Sequence, residues 1–318
     1  MCAAEMAVLA GIDEAGYGPI LGPLVVSACG FRMPRDMLGM DLWQLLSAST
    51  TKRSCKGQTR LVIADSKQLY NRKKGLKNLQ RCVLSLLRIQ GRKPQTLDEM
   101  LRLLCPGCVE RLAGYRWYEQ IAGYSIRSDN RDINIAAKVL RDDLEKNGIE
   151  FTGLSSRCLD VGRYNRLVAG TNNKSSVLFT ATCGLVLEAL DKSDHREAHL
   201  VIDRQGGRTR YRPHLQRMFA HSELTILKET DGTSSYRLCT GERQIFLHFV
   251  TKADQKYMPV SLASMVSKYV RELLVDNINR YFQEQLPELR PTAGYWEDGH
   301  RFLRDLRENG VDITAEEQ

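Results

Sequence analysis

A short apolar run near the N-terminus ends in two acidic residues and a glycine-rich stretch. Residues 7–10 read AVLA, and the chain continues as GIDEAGYGPILGP, so Asp13 and Glu14 come just before Gly16 and Gly18. An apolar run that breaks into glycines is typical of a buried strand ending in a tight turn. The pattern predicts a strand that delivers two carboxylates to a turn. Taken alone, it equally fits acidic residues that are solvated at a strand end.

Two further apolar runs predict strands close to this first one. Residues 23–31, PLVVSACGF, follow the glycine turn and predict the second strand of a hairpin. Residues 200–202, LVI, end in Asp203 and are followed by RQGG, which repeats the arrangement of strand, acid and glycine turn. The acids of the two distant runs can meet only if their strands are neighbours in one sheet. Residues 224–227 and 244–250 predict later strands, with the turn-rich KETDGTSS between them.

Apolar residues spaced three and four apart predict several helices. The helices are expected at about 79–87, at 133–147, at about 175–190, and from Ser261 just after Pro259.

Two pairs of acidic and basic residues each have a structural and a functional interpretation. Asp65 follows an apolar triplet and fits a helix N-cap, whereas Lys67 two residues later is placed to reach an acidic or phosphate group. Lys268 and Glu272 are four residues apart on the last predicted helix. They fit a surface ion pair, which contributes a few tenths of a kcal/mol. They also fit an ammonium and a carboxylate turned toward one acidic pocket.

The stretch between about residues 88 and 155 predicts an inserted helical lobe within a single domain of residues 1–318. Its aromatic residues Tyr115, Trp117, Tyr118 and Tyr124 are interpreted as packed in that lobe, because aromatic side chains are usually buried. LLCPGCVERL carries the close pair Cys105 and Cys108. A zinc site needs further ligands that the sequence does not supply nearby, and redox chemistry is typical of a βαβ setting that this stretch does not show. A turn between two helices is therefore favoured, with a metal site as the alternative.

Composition narrows the class of partner. The 318 residues carry a formal charge of +8 and a pI of about 9.0, which favours an anionic partner, with nucleic acid ahead of a membrane. No run approaches the roughly 20 apolar residues of a transmembrane helix. Nine scattered cysteines, an odd number, fit a reducing cytoplasm better than a disulfide framework. We therefore expect a cytoplasmic protein, and nothing in the sequence requires it to be other than a monomer.

Five motifs in order carry a resemblance to a known family. They are GIDEAGYGPILGPLVV, ADSKQL, VIDRQGG, KADQKYMPVSLASMVSKYVRE and AGYWEDGH. Together they resemble the type 2 ribonuclease H family, which comprises ribonucleases HII and HIII. The resemblance implies an α/β fold: a ribonuclease H-like mixed central sheet flanked by helices, with a helical insertion and C-terminal helices.

The resemblance also implies a metal site. Asp13, Glu14 and Asp203 match three of the family's four carboxylates, and Glu272 stands where ribonuclease HII usually has Asp. In the family these acids bind two divalent cations, Mg²⁺ or Mn²⁺. Oxygen ligands suit such hard cations, and a pair of them about 4 Å apart stabilises both the attacking and the leaving oxygen of a phosphodiester.

The remaining matches concern the substrate. Gly16, Tyr17 and Gly18 stand where ribonuclease HII usually has GRG, so this chain lacks the family's phosphate-contacting arginine there. Lys67 and Lys268 are expected at phosphates. Tyr295 matches a tyrosine that stacks on a sugar, although from the residues alone a packed aromatic beside Trp296 is favoured.

The resemblance implies an endoribonuclease that cleaves the RNA strand of RNA–DNA hybrids and, less securely given Tyr17, ribonucleotides embedded in duplex DNA. The alternative is a nucleic-acid-binding module of the same fold whose catalytic activity is lost or altered.

Overall fold

Helices and strands alternate along most of the chain. A computed structural model describes residues 5–18, 20–53, 59–70, 75–126, 128–191 and 196–313. The helices in these ranges are α1 Leu42–Leu45, α2 Ser66–Leu69, α3 Lys77–Ile89, α4 Leu97–Leu104, α5 Val109–Leu112, α6 Asn130–Lys146, α7 Val161–Thr171, α8 Lys174–Asp191, α9 Arg212–Met218, α10 Ala253–Lys256, α11 Met258–Gln285 and α12 Trp296–Glu308. The strands are β1 Met6–Ala15, β2 Leu24–Pro34, β3 Thr50–Thr51, β4 Leu61–Val62, β5 Glu150–Leu159, β6 Glu197–Asp203, β7 Glu223–Glu229, β8 Thr233–Thr240 and β9 Arg243–Val250.

Seven strands form one mixed sheet, in the order β5-β2-β1-β6-β9-β8-β7. The three central strands β1, β6 and β9 are parallel, and the outer pairs are antiparallel. Ile12 pairs with Ile202, so β1 and β6 end at the same edge of the sheet. The predicted mixed central sheet flanked by helices is confirmed. So are the predicted hairpin of β1 and β2 and the predicted adjacency of the first strand to the strand that ends in Asp203.

Both faces of β1 are buried, and each faces a different helix. Because successive strand residues point to opposite sides, Val8, Ala10 and Ile12 pack in the core that contains α8, and Leu9 packs in the core that contains α11. Asp13 continues the series of Leu9, so its side chain lies on the α11 side.

Helix α11 approaches the sheet closely because β1 has a glycine at the contact. A Cβ added to Gly11 would lie 2.1 Å from the backbone nitrogen of Val260. Pro259 is the second residue of α11, where its missing N–H costs no helical hydrogen bond. The first turn of α11 therefore packs directly on the backbone of β1, two residues before Asp13.

The helical segment α4 to α6 packs against the far part of α11. Trp117 and Tyr118 are buried, and the Trp117 ring lies 5.8 Å from the Phe282 ring of α11. Burial of these two aromatic side chains is as expected, whereas the division into one domain with an inserted lobe stays a prediction. Cys105 to Cys108 form the predicted turn between helices α4 and α5. In the described part of the chain, no helix is both long and apolar enough to cross a membrane.

Strands β5 and β8 of the seven-stranded sheet lie where none was predicted. Strand β5 occupies the sheet edge beside β2, at the end of the stretch interpreted as a helical lobe. Strands β7 and β8 run into the turn-rich KETDGTSS segment from both sides, so the turn is confined to residues 230–232. The Thr and Ser residues that suggested a turn pair with β9 and β7 instead.

Replacement of Gly11 by Ala is expected to destabilise the protein, because its methyl group would overlap the backbone of α11. Overpacking of this kind costs about 1–3 kcal/mol. Urea denaturation followed by circular dichroism measures the change. Gly39→Ala is the control, since an added Cβ there meets no atom within 4 Å. Equal unfolding midpoints for the two variants would contradict the close packing of α11 on β1.

Candidate active site

The carboxylates of β1 lie at its C-terminal end, on opposite sides of the sheet. Asp13 is 8% exposed and faces α11, where its side chain makes a hydrogen bond with Ser264. Its backbone carbonyl accepts a hydrogen bond from Ser267 Oγ at 3.0 Å. Glu14 is half-buried, and its backbone N–H donates to Asp13 Oδ1 at 2.8 Å. Helix α11 therefore holds the backbone and the side chain of Asp13 in place.

The serine contact beneath Asp13 continues across the sheet as a row of hydroxyl groups. Ser267 Oγ lies 2.8 Å from Ser27 Oγ on β2, and Ser27 Oγ lies 2.8 Å from Ser156 Oγ on β5. All three serines are buried. The row joins α11 to three strands of the sheet, β1, β2 and β5.

Asp203 reaches the same edge of the sheet at the end of β6. The parallel register that pairs Ile12 with Ile202 sets Asp203 beside Asp13 on the neighbouring strand. Its Oδ1 accepts a hydrogen bond of 2.7 Å from the backbone N–H of Ala253, at the start of α10. The structure thus brings together Asp13, Glu14 and Asp203.

The three acids destabilise one another's charge. Burial raises the pKa of Asp13 well above its usual value, and the charges of Glu14 and Asp203 raise it further. Burial, followed by the charge of Asp203, raises the pKa of Glu14 to about 8. Burial also raises the pKa of Asp203 to about 6. A cluster of this kind favours a bound proton or a bound cation.

Lys67 supplies positive charge to the cluster. Asp65 accepts a hydrogen bond from the Lys67 backbone N–H at 2.9 Å. It therefore caps the N-terminus of α2, which confirms the interpretation of Asp65 as an N-cap. The Lys67 ammonium lowers the pKa of Glu14 and of Asp203, although burial outweighs its effect at both. The Lys67 side chain therefore acts on the predicted acidic group.

A further acid near the site was missed from the sequence. Asp254 follows the end of β9 by four residues, and its charge raises the pKa of Asp203. Burial and the charge of Asp65 raise the pKa of Asp254 in turn. The available signal was a third apolar run, residues 244–250, followed closely by an acid.

Glu272 is paired with basic neighbours. Its Oε1 accepts a hydrogen bond from Lys268 Nζ at 2.6 Å and lies 3.5 Å from an Nη atom of Arg271. The side chains of Lys268 and Glu272 are only 13% and 5% exposed, so their interpretation as a surface pair is wrong. The assignment of Glu272 as a fourth metal ligand stays a prediction.

The glycine loop after β1 is anchored by Arg271. This side chain is fully buried, and its Nη2 donates to the carbonyl oxygens of Leu21 at 3.3 Å and of Ala293 at 3.1 Å. Gly16 has a φ of +95°, and an added Cβ would lie 2.8 Å from Arg271 Nε, so only glycine fits there. Backbone N–H groups of Ile20 and Leu21 donate to the carbonyl of Gly294. The loop and the segment before α12 are therefore held together on α11.

Aromatic side chains are presented at the surface around this loop. Tyr295 is 43% exposed, and its ring centre lies 4.8 Å from the Arg271 guanidinium carbon and 5.7 Å from Lys268 Nζ. Lys268 Nζ also lies 4.9 Å from the Tyr70 ring. Tyr17 is 36% exposed, and Gly18 beside it has no neighbouring atom within 4 Å of an added Cβ. The rings of Tyr17 and Tyr295 are exposed enough to contact a bound molecule.

Arg208 is a second residue that the sequence reasoning missed. It follows Asp203 by five residues and is held by Ser175 Oγ, 2.7 Å from its Nη2, and by the rings of Phe179 and Tyr211. Its guanidinium is close enough to Tyr17 for the phenol to act on the pKa of Arg208, which burial lowers. The signal in the sequence was the basic run RTRYR after the second glycine turn.

The acids fit a divalent cation in chemical character. Carboxylate oxygens are the ligands that Mg²⁺ and Mn²⁺ select, and the raised pKa values report unbalanced negative charge. Within the described ranges, no three His, Cys, Asp or Glu side chains lie in an arrangement that would hold a metal ion. The metal-binding role of Asp13, Glu14 and Asp203 is therefore a proposal.

Comparison with solved structures finds ribonucleases HII and HIII. Ribonuclease HII of Archaeoglobus fulgidus, solved in a complex with PCNA, is 16% identical, with 97% of this chain and 92% of that chain covered and a TM-score of 0.40. Ribonuclease H2 of Pyrococcus horikoshii OT3 is 14% identical, with 97% and 90% covered and a TM-score of 0.39. Bst-RNase HIII in complex with Mn²⁺ is 14% identical, with 96% of this chain and 64% of that chain covered and a TM-score of 0.40.

The family that the five motifs resemble is thus also the family of these similar structures. No protein-family model and no curated protein matches the chain.

Stability is expected to fall as pH rises when no divalent cation is present. The folded-state pKa values of Glu14 and Asp203, about 8 and about 6, lie above the ordinary values of 4.5 and 3.8. At pH values between the ordinary and the raised pKa of each group, the folded protein binds more protons than the unfolded chain. The free energy of unfolding therefore decreases as the pH rises through that range. In a chelator, the melting temperature should be lower at about pH 8 than at about pH 5.5.

Asp13→Asn should raise the melting temperature at the higher pH, because it removes one charge from the cluster. Asp36→Asn, at an exposed position in the 3₁₀ helix Arg35–Met37, is the matched control and should have no such effect. A melting temperature that is higher at the higher pH, or that is equal in the two variants, would contradict mutual repulsion among the three acids.

Proposed function

We propose that this protein is a metal-dependent endoribonuclease that hydrolyses the RNA strand of RNA–DNA hybrids. The observation that carries the proposal is the convergence of Asp13, Glu14 and Asp203 at the ends of two adjacent parallel strands. Buried acids with raised pKa values and a lysine among their neighbours are typical of a functional site rather than of a structural one.

The acids would hold divalent cations, Mg²⁺ or Mn²⁺, with Glu272 as the proposed fourth ligand. When bound, such cations stabilise negative charge on the attacking and leaving oxygens of a phosphodiester. Lys67 would orient the scissile phosphate, since its ammonium acts on the same acids. Ser264 and Ser267 hold Asp13 in one position, which keeps the site preorganised.

Positive charge and exposed aromatic rings support a nucleic-acid substrate. The net charge of +8 favours binding to a polyanion, and Tyr295 offers a ring for stacking against a sugar or a base. The 2′-hydroxyl group separates RNA from DNA at a given nucleotide, and the backbone of Gly16 and Gly18 allows a close approach to it. Tyr17 cannot supply a cation, so we propose that long hybrids are cleaved better than single embedded ribonucleotides.

A second candidate is a nucleic-acid-binding module of the same fold with lost or altered activity. The pairing of Glu272 with Lys268 at 2.6 Å favours it, because a carboxylate held by an ammonium is less available to a metal. The two candidates differ in turnover and not in binding.

Cleavage assays with Mg²⁺ or Mn²⁺ distinguish them. Labelled RNA–DNA hybrid, DNA with one embedded ribonucleotide and all-DNA duplex are the substrates. The hybrid should be cut faster than the single ribonucleotide, and the all-DNA duplex should stay intact. Asp13→Asn should reduce kcat roughly 100-fold or more, as loss of a group that acts in the transition state does. Asp36→Asn should match wild type.

If wild type and Asp13→Asn both bind the RNA–DNA hybrid without added metal and neither cleaves it, the result would favour the binding module. Cleavage that is equal in wild type and in Asp13→Asn would refute the assigned site.

Arg208→Gln should weaken the binding of every RNA-containing duplex by a similar factor, since we propose that this side chain contacts a phosphate. Its KM should rise while kcat changes little. The slope of the logarithm of the binding constant against the logarithm of the salt concentration should decrease in magnitude by the amount expected for about one lost phosphate contact. Arg92→Gln, at an exposed position after α3, is the control. An unchanged KM and salt dependence in Arg208→Gln would remove this residue from the proposed interface.

A further inference from the structure

Three cysteines meet where the helical segment joins the sheet edge at β5. Cys105 and Cys108 lie on the turn between α4 and α5, and Cys158 is the second-last residue of β5. The Cys108 backbone N–H donates to the Cys105 carbonyl at 3.0 Å, and Gly107 adopts a φ of +76°. The turn therefore brings the Cys105 and Cys108 side chains to the same part of the interface with β5.

The thiol of Cys108 is the centre of the group. It makes side-chain hydrogen bonds with both Cys105 and Cys158. All three residues are at most 3% exposed. The seven cysteines in the described ranges are free thiols, whereas Cys2 and Cys55 lie outside those ranges.

An arginine binds the turn and the strand at once. Arg111 Nη2 donates to the Cys158 carbonyl at 3.1 Å, and Arg111 Nε lies 3.1 Å from Asp160 Oδ2. Its Nη1 donates to the Gly107 carbonyl in the turn. The guanidinium therefore stands near Cys108 and ties the turn of Cys105–Cys108 to Cys158 at the end of β5.

Hydrogen bonds from two thiols and the nearby guanidinium favour a thiolate at this position. Together they lower the pKa of Cys108 to about 4, against the opposing effect of burial. Burial raises the pKa of Cys183 to about 12, against the opposing charge of Arg208. A stabilised thiolate is the reactive form of cysteine.

A cavity of about 510 Å³ gives small molecules a route to the thiols. Its lining includes Cys105, Cys108 and Cys158 together with Arg111, Arg157 and Arg163. A polar oxidant of the size of water fits easily into such a space. The three thiols are therefore buried against one another and adjacent to a cavity.

We propose that Cys108 is a peroxide-reactive cysteine that forms a reversible disulfide with one of the two thiols it contacts. The Cys108 sulfur attacks one oxygen of hydrogen peroxide, the O–O bond breaks, and water leaves, which gives a sulfenic acid. The thiol of Cys105 or Cys158 then attacks that sulfur, a second water leaves, and the S–S bond forms. Overall, two thiols are oxidised and one peroxide is reduced to two waters. This inference does not depend on the proposed nuclease activity.

The test oxidises the full-length protein with hydrogen peroxide, blocks free thiols by alkylation and maps disulfides by peptide mass spectrometry. Wild type and Cys183→Ser should both form a bond from Cys108 to Cys105 or to Cys158, and dithiothreitol should reverse it. Cys108→Ser should form neither bond. The double variant Cys105→Ser and Cys158→Ser should stop at a sulfenic acid that dimedone traps on Cys108.

A second measurement uses only the wild-type protein, so it does not depend on the folding of any variant. Limited iodoacetamide labelling at about pH 6 should modify Cys108 about tenfold faster or more than Cys183, because only a thiolate reacts. Labelling of Cys108 no faster than that of Cys183, or peroxide oxidation that leaves Cys108 unmodified, would overturn the proposal.

Discussion

The buried guanidinium of Arg271 is the interaction on which the arrangement of the candidate site depends. It sits on α11 and binds carbonyl oxygens from the glycine loop and from the segment before α12, next to the carboxylate of Glu272. Burial of a charge is tolerated only when partners of this kind surround it, and removal of one partner leaves the other uncompensated. The loop, the helix and Tyr295 are therefore positioned as a unit, with Gly16 as the residue that makes room for the arginine.

The order of the strands explains why acids from distant parts of the sequence converge. Three parallel strands, β1, β6 and β9, lie side by side, and their carboxyl ends share one edge of the sheet. Asp13 and Asp203 lie at the ends of β1 and β6, Asp254 follows the end of β9, and α10 and α11 pack at this edge. The raised pKa values at this edge are the electrostatic result of that topology, because each added strand brings one more acid into a partly desolvated space.

The elements built on strong local patterns could be predicted from the sequence, and the others could not. The runs at 7–10, 23–31 and 200–202 predicted strands β1, β2 and β6, because each is a continuous apolar run next to a glycine turn. Strand β5 was missed because Gly153 and its Ser and Arg residues break the apolar pattern of an edge strand. The burial of Lys268 and Glu272 was missed as well. Helical spacing predicts that the two side chains are close, but it does not show which other parts of the chain pack over them. Arg208 and Asp254 each stand in or beside a recognisable local pattern, a basic run and an apolar run, but their proximity to the other site residues depends on packing between elements, which a local pattern does not report.

The row of serine hydroxyls beneath Asp13 branches at Ser267. Its Oγ is the donor toward both the Asp13 carbonyl on β1 and Ser27 Oγ on β2. A hydroxyl carries a single proton, so the two acceptors share it. Beyond Ser27 the row continues to Ser156 on β5, where either hydroxyl can donate. One side chain of α11 therefore couples the position of the strand that carries Asp13 to the position of its neighbour β2.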